Sequence, residues 1–194
     1  MKGLNRMLTL IIGGSGSGKS AYAEEYITTI SENRTKYYIA TMQVFDDEGM
    51  KKIEKHQKMR SEKNFITIEQ PSKIENALCK MGTIVSEADL KQKGNEKSAL
   101  LECMSNLVAN EMFQGEEIID GIKVIDKILS GVKRLNKDLN HLVIVTNNVF
   151  EDGNTYDEAT MDYIKTLGII NEKLSCMADK VIEIVVGIPV VLKG

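Results

Sequence analysis

Short apolar runs alternate along the chain with longer stretches whose apolar residues recur at helical spacing. The runs have the length of single strands and cover residues 8–12, 36–41, 65–69, 98–102, 142–146, 181–186 and 190–192. Helical patterns cover residues 20–30, 46–60, 104–113, 118–136 and 157–177, with a further helix opened by Pro71 and Ser72. Strands that alternate with helices in this way predict βαβ units and a mostly parallel sheet.

The last two apolar runs are separated only by a short segment around Gly-Ile-Pro. This spacing suits a hairpin, so the final strand is predicted to be antiparallel to its neighbour. No change in composition marks a boundary, and we expect one α/β domain over residues 1–194.

Composition and charge narrow the class of protein. Of 194 residues, 42% are apolar and 27% are charged, which is ordinary for a soluble domain. The formal net charge of -3 gives no general attraction to nucleic acid, and no apolar run is long enough to span a membrane. The first ten residues do not resemble a signal peptide. The chain has three widely spaced cysteines, Cys79, Cys103 and Cys176. An odd number at such spacing predicts reduced thiols in the cytoplasm and not a set of disulfides.

The segment GGSGSGKS follows the first apolar run and matches the pattern G-x-x-x-x-G-K-[ST]. Glycines allow backbone N–H groups to converge on an anion, and the following helix directs its positive end to the same place. The lysine reaches the β- and γ-phosphates of a nucleotide, and the serine hydroxyl can bind Mg²⁺. We therefore predict a phosphate-binding loop formed by Gly13, Gly14, Ser15, Gly16, Ser17, Gly18, Lys19 and Ser20.

A carboxylate near the magnesium ion is expected at the end of a neighbouring strand. Glu102 ends the run at 98–102 and is the candidate, although a charged residue at this place can also simply mark a strand that reaches solvent. Thr146, Asn147 and Asn148 end another run and are expected at the same edge of the sheet, where ligands bind in α/β folds.

His56 belongs to the charged helical stretch at 46–60. Met50, Ile53, His56 and Arg60 lie near one face of such a helix, so a half-buried structural histidine is one interpretation. The other is a nucleophile that attacks an α-phosphate and forms a phosphoramidate. His141, among polar residues before a strand, is expected at the surface.

The nucleophile hypothesis assigns roles to nearby cations. Lys58 and Arg60 would hold the triphosphate in line, and Lys19 with Mg²⁺ would neutralise the leaving pyrophosphate.

Several segments together resemble the adenosylcobinamide kinase / adenosylcobinamide-phosphate guanylyltransferase family from Met7 onward. They are GGSGSGKS, YIATMQVFDDEGMKKIEKHQKMR, TIEQP, ALLECMSNLVAN and the closing VTNNV…NEKLSCMADKVIEIVVGIPVVLK. The resemblance implies a RecA-like P-loop NTPase fold and a bifunctional enzyme of cobalamin biosynthesis. Such an enzyme phosphorylates adenosylcobinamide with ATP or GTP. It then transfers GMP from GTP to adenosylcobinamide phosphate through a GMP–histidine intermediate.

The resemblance also assigns site residues and an assembly. It makes His56 the guanylylated residue and implies a homotrimer. Nucleotide contacts are implied for Ala40, Thr41, Met42, Gln57, Lys58, Met59, Arg60, Glu69 and Glu102.

The chain departs from the family pattern in places. Gly16 stands where relatives often have arginine, Asn148 follows Asn147 where the family has glutamate, and Ile164-Lys165 replaces an arginine–aspartate pair. Three alternatives therefore stay open: a guanylyltransferase without kinase activity, a small-molecule kinase in which His56 is structural, and a nucleotide-binding regulatory protein.

Overall fold

A computed structural model describes residues 6–31, 34–43, 63–83, 96–149 and 156–194. The strands in chain order are β1 (Met7–Gly13), β2 (Thr35–Ala40), β3 (Phe65–Glu69), β4 (Lys97–Glu102), β5 (Phe113–Gln114), β6 (Glu117–Ile118), β7 (His141–Asn147), β8 (Lys180–Val185) and β9 (Ile188–Lys193). The helices are α1 (Lys19–Ser31), α2 (Ala77–Thr83), α3 (Met104–Met112), α4 (Gly121–Asp138) and α5 (Glu158–Met177). A single 3-10 turn, Ile74–Asn76, precedes α2.

Seven of these strands form one sheet in the order β3-β2-β4-β7-β1-β8-β9. The first six strands of this order are parallel, and β9 pairs with β8 in the antiparallel sense. The predicted mostly parallel sheet with an antiparallel C-terminal strand is thus confirmed.

Helices cover both faces of the sheet, which explains why most residues of β1 are apolar. Leu8 and Leu10 face a core formed with α2, α3, α4 and α5. Ile11 faces the opposite core, where Ala23 and Ile27 of α1 pack on the sheet. The end of α5 is tied back to β1, because the Asp179 carboxylate accepts a hydrogen bond of 2.8 Å from the Leu8 N–H.

Two predicted helix starts are displaced in the structure. Phe113–Gln114 pairs with Glu117–Ile118, so α4 begins at Gly121 rather than at residue 118, with Asp120 capping its first N–H groups. The helix predicted from Pro71 instead begins as the turn at Ile74.

His141 was expected at the surface, and that prediction is wrong. It begins β7, between Met7 of β1 and Ser98 of β4, and only 7% of its surface is exposed. A central strand is covered on both faces by helices, so even its first residue is buried. The helix predicted at 46–60 lies outside the described residues. No helix within the described ranges is both long and apolar enough to cross a bilayer.

Candidate nucleotide-binding site

The glycine-rich segment connects β1 to α1, as its motif predicts. Gly16 and Gly18 have φ values of +71° and +89°, which glycine adopts without steric cost. At Gly13 an added Cβ would lie 2.6 Å from the Ser17 hydroxyl and 2.8 Å from the Ile184 carbonyl oxygen. The tight turn therefore depends on glycine at these three positions.

The polar groups of the loop are suited to an anion. Lys19 is buried, and its ammonium donates a hydrogen bond of 3.0 Å to the carbonyl of Gly14. The Ser17 hydroxyl is buried and has no hydrogen-bond partner among the described residues. Helix α1 begins at Lys19, so its free N–H groups lie at the loop. A phosphate group would accept hydrogen bonds from all of these donors.

Glu102 lies beside the loop, although β7 separates β4 from β1 in the sheet. The Ser20 hydroxyl donates a hydrogen bond of 2.6 Å to the carboxylate of Glu102. A hydroxyl and a carboxylate are oxygen ligands of the kind that Mg²⁺ prefers. The described residues contain no cluster of three or more His, Cys, Asp or Glu side chains that could hold a metal. This pair thus fits a magnesium ion bound largely through phosphates and water.

Thr41 fixes the segment that carries Glu102. Its hydroxyl donates to the Cys103 carbonyl and accepts from the Cys103 N–H, both at 2.8 Å. Its N–H donates to the Glu102 carbonyl at 3.0 Å, and its own carbonyl accepts from the Asn110 amide at 2.7 Å. The Thr41 side chain is completely buried. Thr41 is therefore a positioning residue for the strand end at Glu102.

A second polar group lies at the end of β7, next to the loop. The Asn147 side-chain amide donates to the Ser105 hydroxyl at 2.6 Å, and the Cys103 sulfur lies 3.0 Å from the same hydroxyl. Burial raises the pKa of the Cys103 thiol, and the Ser105 hydrogen bond opposes this shift only in part. The thiol is therefore protonated at neutral pH and serves as a small buried group.

Asn171 of α5 anchors the end of β7. Its side-chain oxygen accepts a bond of 2.7 Å from the Thr146 hydroxyl, and its amide donates to the Asn147 carbonyl at 3.3 Å. The sequence alone assigns no role to Asn171. Its function in the fold follows from contacts that no local pattern reveals.

The hairpin between β8 and β9 also contacts the phosphate loop. The Gly187 N–H in its turn donates a hydrogen bond of 2.9 Å to the Ser17 carbonyl. An added Cβ on Gly18 would lie 3.7 Å from the Gly187 Cα. The sequence predicts the hairpin but not its contact with the phosphate loop.

The remaining predicted site residues lie farther from the loop. Ala40 ends β2 and is followed by Thr41 and Met42. Strand β2 lies three positions from β1 in the sheet, which places the two strands about 14 Å apart at the usual strand spacing. Glu69 ends the edge strand β3, about 19 Å from β1 on the same basis. Within one chain the described fold does not bring Glu69 onto the phosphate loop.

The segment that carries the predicted nucleophile connects β2 to β3. The described residues stop at Gln43, just beyond the carboxyl end of β2, and resume at Lys63 before β3. The predicted site residues His56, Gln57, Lys58, Met59 and Arg60 all lie outside them, and their roles stay predictions.

Comparison with known protein families decides the class of this site. Residues 9–192 match the family described as cobinamide kinase / cobinamide phosphate guanyltransferase. The chain belongs to this family. This match confirms the predicted family, whose members are kinases and guanylyltransferases of cobalamin biosynthesis.

Two bacterial relatives have the same name, bifunctional adenosylcobalamin biosynthesis protein CobU. The protein of Escherichia coli is 28% identical over 196 residues, which cover 96% of this chain and 100% of the relative. The protein of Salmonella typhimurium is 28% identical over 198 residues, with the same coverage. The family assignment therefore extends over nearly the whole chain.

Solved structures with a similar fold include an ATPase domain and a KaiC-like protein. The ATPase domain has a TM-score of 0.53 and 15% identity, with 92% of this chain and 69% of the other chain covered. The KaiC-like protein, from Pyrococcus horikoshii, has a TM-score of 0.51 and 16% identity, with 91% and 71% covered respectively. These similarities confirm the P-loop NTPase fold.

Proposed function

We propose that this chain phosphorylates the hydroxyl of adenosylcobinamide with ATP or GTP and then transfers GMP from GTP to the new phosphate. The products of the second step are adenosylcobinamide-GDP and pyrophosphate. The observation that carries the proposal is the contact between Ser20 of the phosphate loop and Glu102, in a chain whose family performs these two reactions.

In the kinase step the substrate hydroxyl attacks the γ-phosphorus and loses its proton, and the nucleoside diphosphate leaves. The ammonium of Lys19 exchanges its contact with the Gly14 carbonyl for the β- and γ-phosphates. Ser20 and Glu102 are the residues that would hold Mg²⁺, which supplies charge neutralisation for the transferred phosphoryl group.

In the guanylyl step an imidazole nitrogen of His56 attacks the α-phosphorus of GTP, and pyrophosphate leaves. A phosphate oxygen of adenosylcobinamide phosphate then attacks the same phosphorus and releases the histidine. A nucleophile of this kind divides one difficult displacement into two easier ones. Ala40, Met42, Glu69 and the segment Gln57 to Arg60 are proposed as further GTP contacts.

A guanylyltransferase without kinase activity is the second candidate. Asn148 occupies the position where the family pattern has glutamate. It follows the carboxyl end of β7, beside the phosphate loop. Its N–H donates a hydrogen bond of 3.1 Å to the Gly13 carbonyl. A missing carboxylate at this place would affect phosphoryl transfer more than the attack of His56.

Covalent labelling separates these candidates. The protein is incubated with Mg²⁺ and either α-labelled or γ-labelled GTP and is then denatured. We expect acid-labile, base-stable label from α-labelled GTP only, as a phosphoramidate requires. Transfer of the γ-label to adenosylcobinamide reports the kinase step independently.

The variant His56→Ala is the decisive test of the intermediate. We expect it to lose the α-label and the formation of adenosylcobinamide-GDP, while γ-label still reaches adenosylcobinamide at least in part. Lys19→Ala is the control, because it should lose both activities together with triphosphate binding. A His56→Ala protein that still forms adenosylcobinamide-GDP with stoichiometric pyrophosphate would refute the covalent intermediate.

We further propose that the enzyme is a cytoplasmic homotrimer. Cys79, Cys103 and Cys176 form no disulfide with one another in the described part of the chain, which suits a reducing compartment. Strand β9 is exposed along its length and carries Ile188, Val190, Val191 and Leu192, an apolar surface of the kind that subunits cover.

A further inference from the structure

The nucleotide contacts proposed at the strand ends lie on one face of the sheet, the face that α1 covers. Ala40 packs in the core beneath α1. Side chains alternate along a strand, so Glu69 shares its face with Phe65 of that same core. Glu102 contacts Ser20 of α1 directly. The nucleotide is therefore expected on the α1 side of the carboxyl edge of the sheet.

The opposite face of the same edge has a cavity of about 590 Å³, within the range of small-molecule sites. Helix α3 covers this face, where its Leu107 lies in one core with Ile39 of β2 and Ile68 of β3. The lining comes from the loops after β2 and β3, from α3 and from the β5–β6 hairpin. It includes Gln43, Ser72, Lys73, Asn110, Phe113 and Gln114. We call this space the α3-face cavity.

The loop after β3 is held in place by two side chains of α3. The Asn110 amide donates a hydrogen bond of 2.9 Å to the Pro71 carbonyl. The Glu111 carboxylate, which is only 2% exposed, accepts from the Lys73 N–H at 2.6 Å and from the Lys127 ammonium at 2.5 Å. Lys73 has a φ of +49°, a conformation that lysine adopts rarely and that concentrates at ligand sites. The loop thus presents the lysine side chain to the cavity in a fixed conformation.

The polar side chains that line the α3-face cavity are mostly neutral. Carboxamides come from Gln43, Asn110 and Gln114, and this group both donates and accepts hydrogen bonds. Among the described lining residues Lys73 is the single cation, whereas a phosphate site gathers several N–H donors and positive charges. The ring of Phe113 is 40% exposed and adds an apolar surface. This lining suits an apolar ring that carries amide groups better than it suits a phosphate.

We propose that the α3-face cavity binds the edge of the corrin macrocycle of the second substrate. The proposal rests on the proposed function and adds the place where the corrinoid binds. Adenosylcobinamide carries acetamide and propionamide groups around its rim, and these pair with the carboxamides and with the Lys73 ammonium. Its reacting hydroxyl lies at the end of a flexible chain on that rim, which can extend across the carboxyl edge to the nucleotide on the α1 side.

The test measures the two ligands separately. Equilibrium dialysis gives the binding of adenosylcobinamide in the presence of a nonhydrolysable GTP analogue, and calorimetry with Mg²⁺ gives the binding of the analogue. Lys73→Gly removes the ammonium and tolerates the positive φ. The double variant Gln43→Ala/Gln114→Ala removes two carboxamides and keeps Lys73. We expect each to weaken adenosylcobinamide binding roughly ten-fold and to leave the GTP analogue unaffected.

Two further variants serve as controls. Lys73→Arg keeps the charge and the N–H donors, so it should bind adenosylcobinamide nearly as well as the wild type. Lys137→Ala removes the same charge from the last turn of α4, which precedes the start of β7 and so lies at the opposite edge of the sheet. It should bind both ligands normally. Thermal unfolding establishes that each variant is folded.

The contrary outcomes are distinct. Normal adenosylcobinamide binding by both Lys73→Gly and the double glutamine variant would overturn the proposal. An equal loss for adenosylcobinamide and the GTP analogue would also overturn it, because the cavity would then belong to the nucleotide site. A wild type that binds the GTP analogue but no adenosylcobinamide would refute the corrinoid as substrate, and with it the proposed function.

Discussion

At the scale of single residues, the site depends on how Glu102 is held. The Ser20 hydroxyl contacts its carboxylate, while Thr41 binds the backbone on both sides of the Glu102–Cys103 peptide. The carboxylate therefore stays beside the phosphate loop before any nucleotide arrives. Such preorganisation is what metal-assisted phosphoryl transfer requires of a protein.

Glu102→Gln tests the role of the negative charge. The glutamine oxygen can still accept the Ser20 hydrogen bond, but the charge that attracts Mg²⁺ is lost. We expect the Mg²⁺ concentration for half-maximal turnover to rise about ten-fold, equivalent to about 1.4 kcal/mol, with little change in thermal unfolding. Glu117→Gln in the exposed β5–β6 hairpin is the matched control. An unchanged magnesium titration for Glu102→Gln would make Glu102 a plain strand terminus.

At the scale of secondary-structure elements, a polar contact joins α5 to the centre of the sheet. The Thr146 hydroxyl is fully buried, and its partner is the Asn171 side chain. Buried polar groups that lose their partners carry a large desolvation penalty. Asn171 of α5 therefore helps to fix the end of β7, including the backbone of Asn147 beside the phosphate loop.

Asn171→Leu should reveal this coupling. The change leaves the Thr146 hydroxyl and the Asn147 carbonyl without their partner, so we expect a loss of about 2 to 3 kcal/mol in the free energy of unfolding. Thr146→Val should cost less, because it removes only one bond. Urea denaturation of both variants and of the double variant gives the coupling, which we expect to reach about 1 kcal/mol. Additive losses would show that the two side chains do not stabilise each other.

The elements differ in how far the sequence alone predicts them. The strand predicted at 65–69 has the observed bounds of β3, and the patterns at 98–102 and 142–146 lie within β4 and β7. Buried strands leave a continuous apolar run, which is a local signal. The two-residue strands β5 and β6 leave none, so the start of α4 was placed too early.

The site was predictable only in its local part. The phosphate loop is a contiguous motif and could be found directly, and Glu102 was found because it ends a buried strand. The burial of His141 and the distance of Glu69 from the loop depend on strand order, which no single segment encodes. The contact of Gly187 with Ser17 joins distant parts of the chain and has no sequence signal of its own.

At the scale of the whole molecule, the exposed apolar surface of β9 bears on how chains assemble. Most apolar side chains of the described residues lie in the two cores on either side of the sheet, whereas those of β9 remain exposed. An edge strand with exposed apolar side chains associates readily with other chains. The proposed trimer would give this surface a partner.

Light scattering after size-exclusion chromatography tests the assembly. A trimer of the 21.6-kDa chain has a mass of about 65 kDa. We expect Leu192→Asp on β9 to lower the measured mass, because a charge would be placed in an apolar contact. Ile122→Asp changes an exposed residue of α4 and should leave the mass unaltered. A wild-type mass near that of one chain would contradict the trimer, and a normal mass for Leu192→Asp would exclude β9 from its interface.

The hydrogen bond between Gly187 and Ser17 has a consequence for synthesis on the ribosome. Strand β1 and its loop are translated well before β7 and β8, their neighbours in the sheet. Leu8 and its partner Asp179 are 171 residues apart. At about 5 to 20 residues per second, β1 waits on the order of 10 to 30 s for that partner. A nascent chain released before residue 187 lacks the turn that contacts the phosphate loop, so we expect nucleotide binding to distinguish chains that contain this turn from shorter ones.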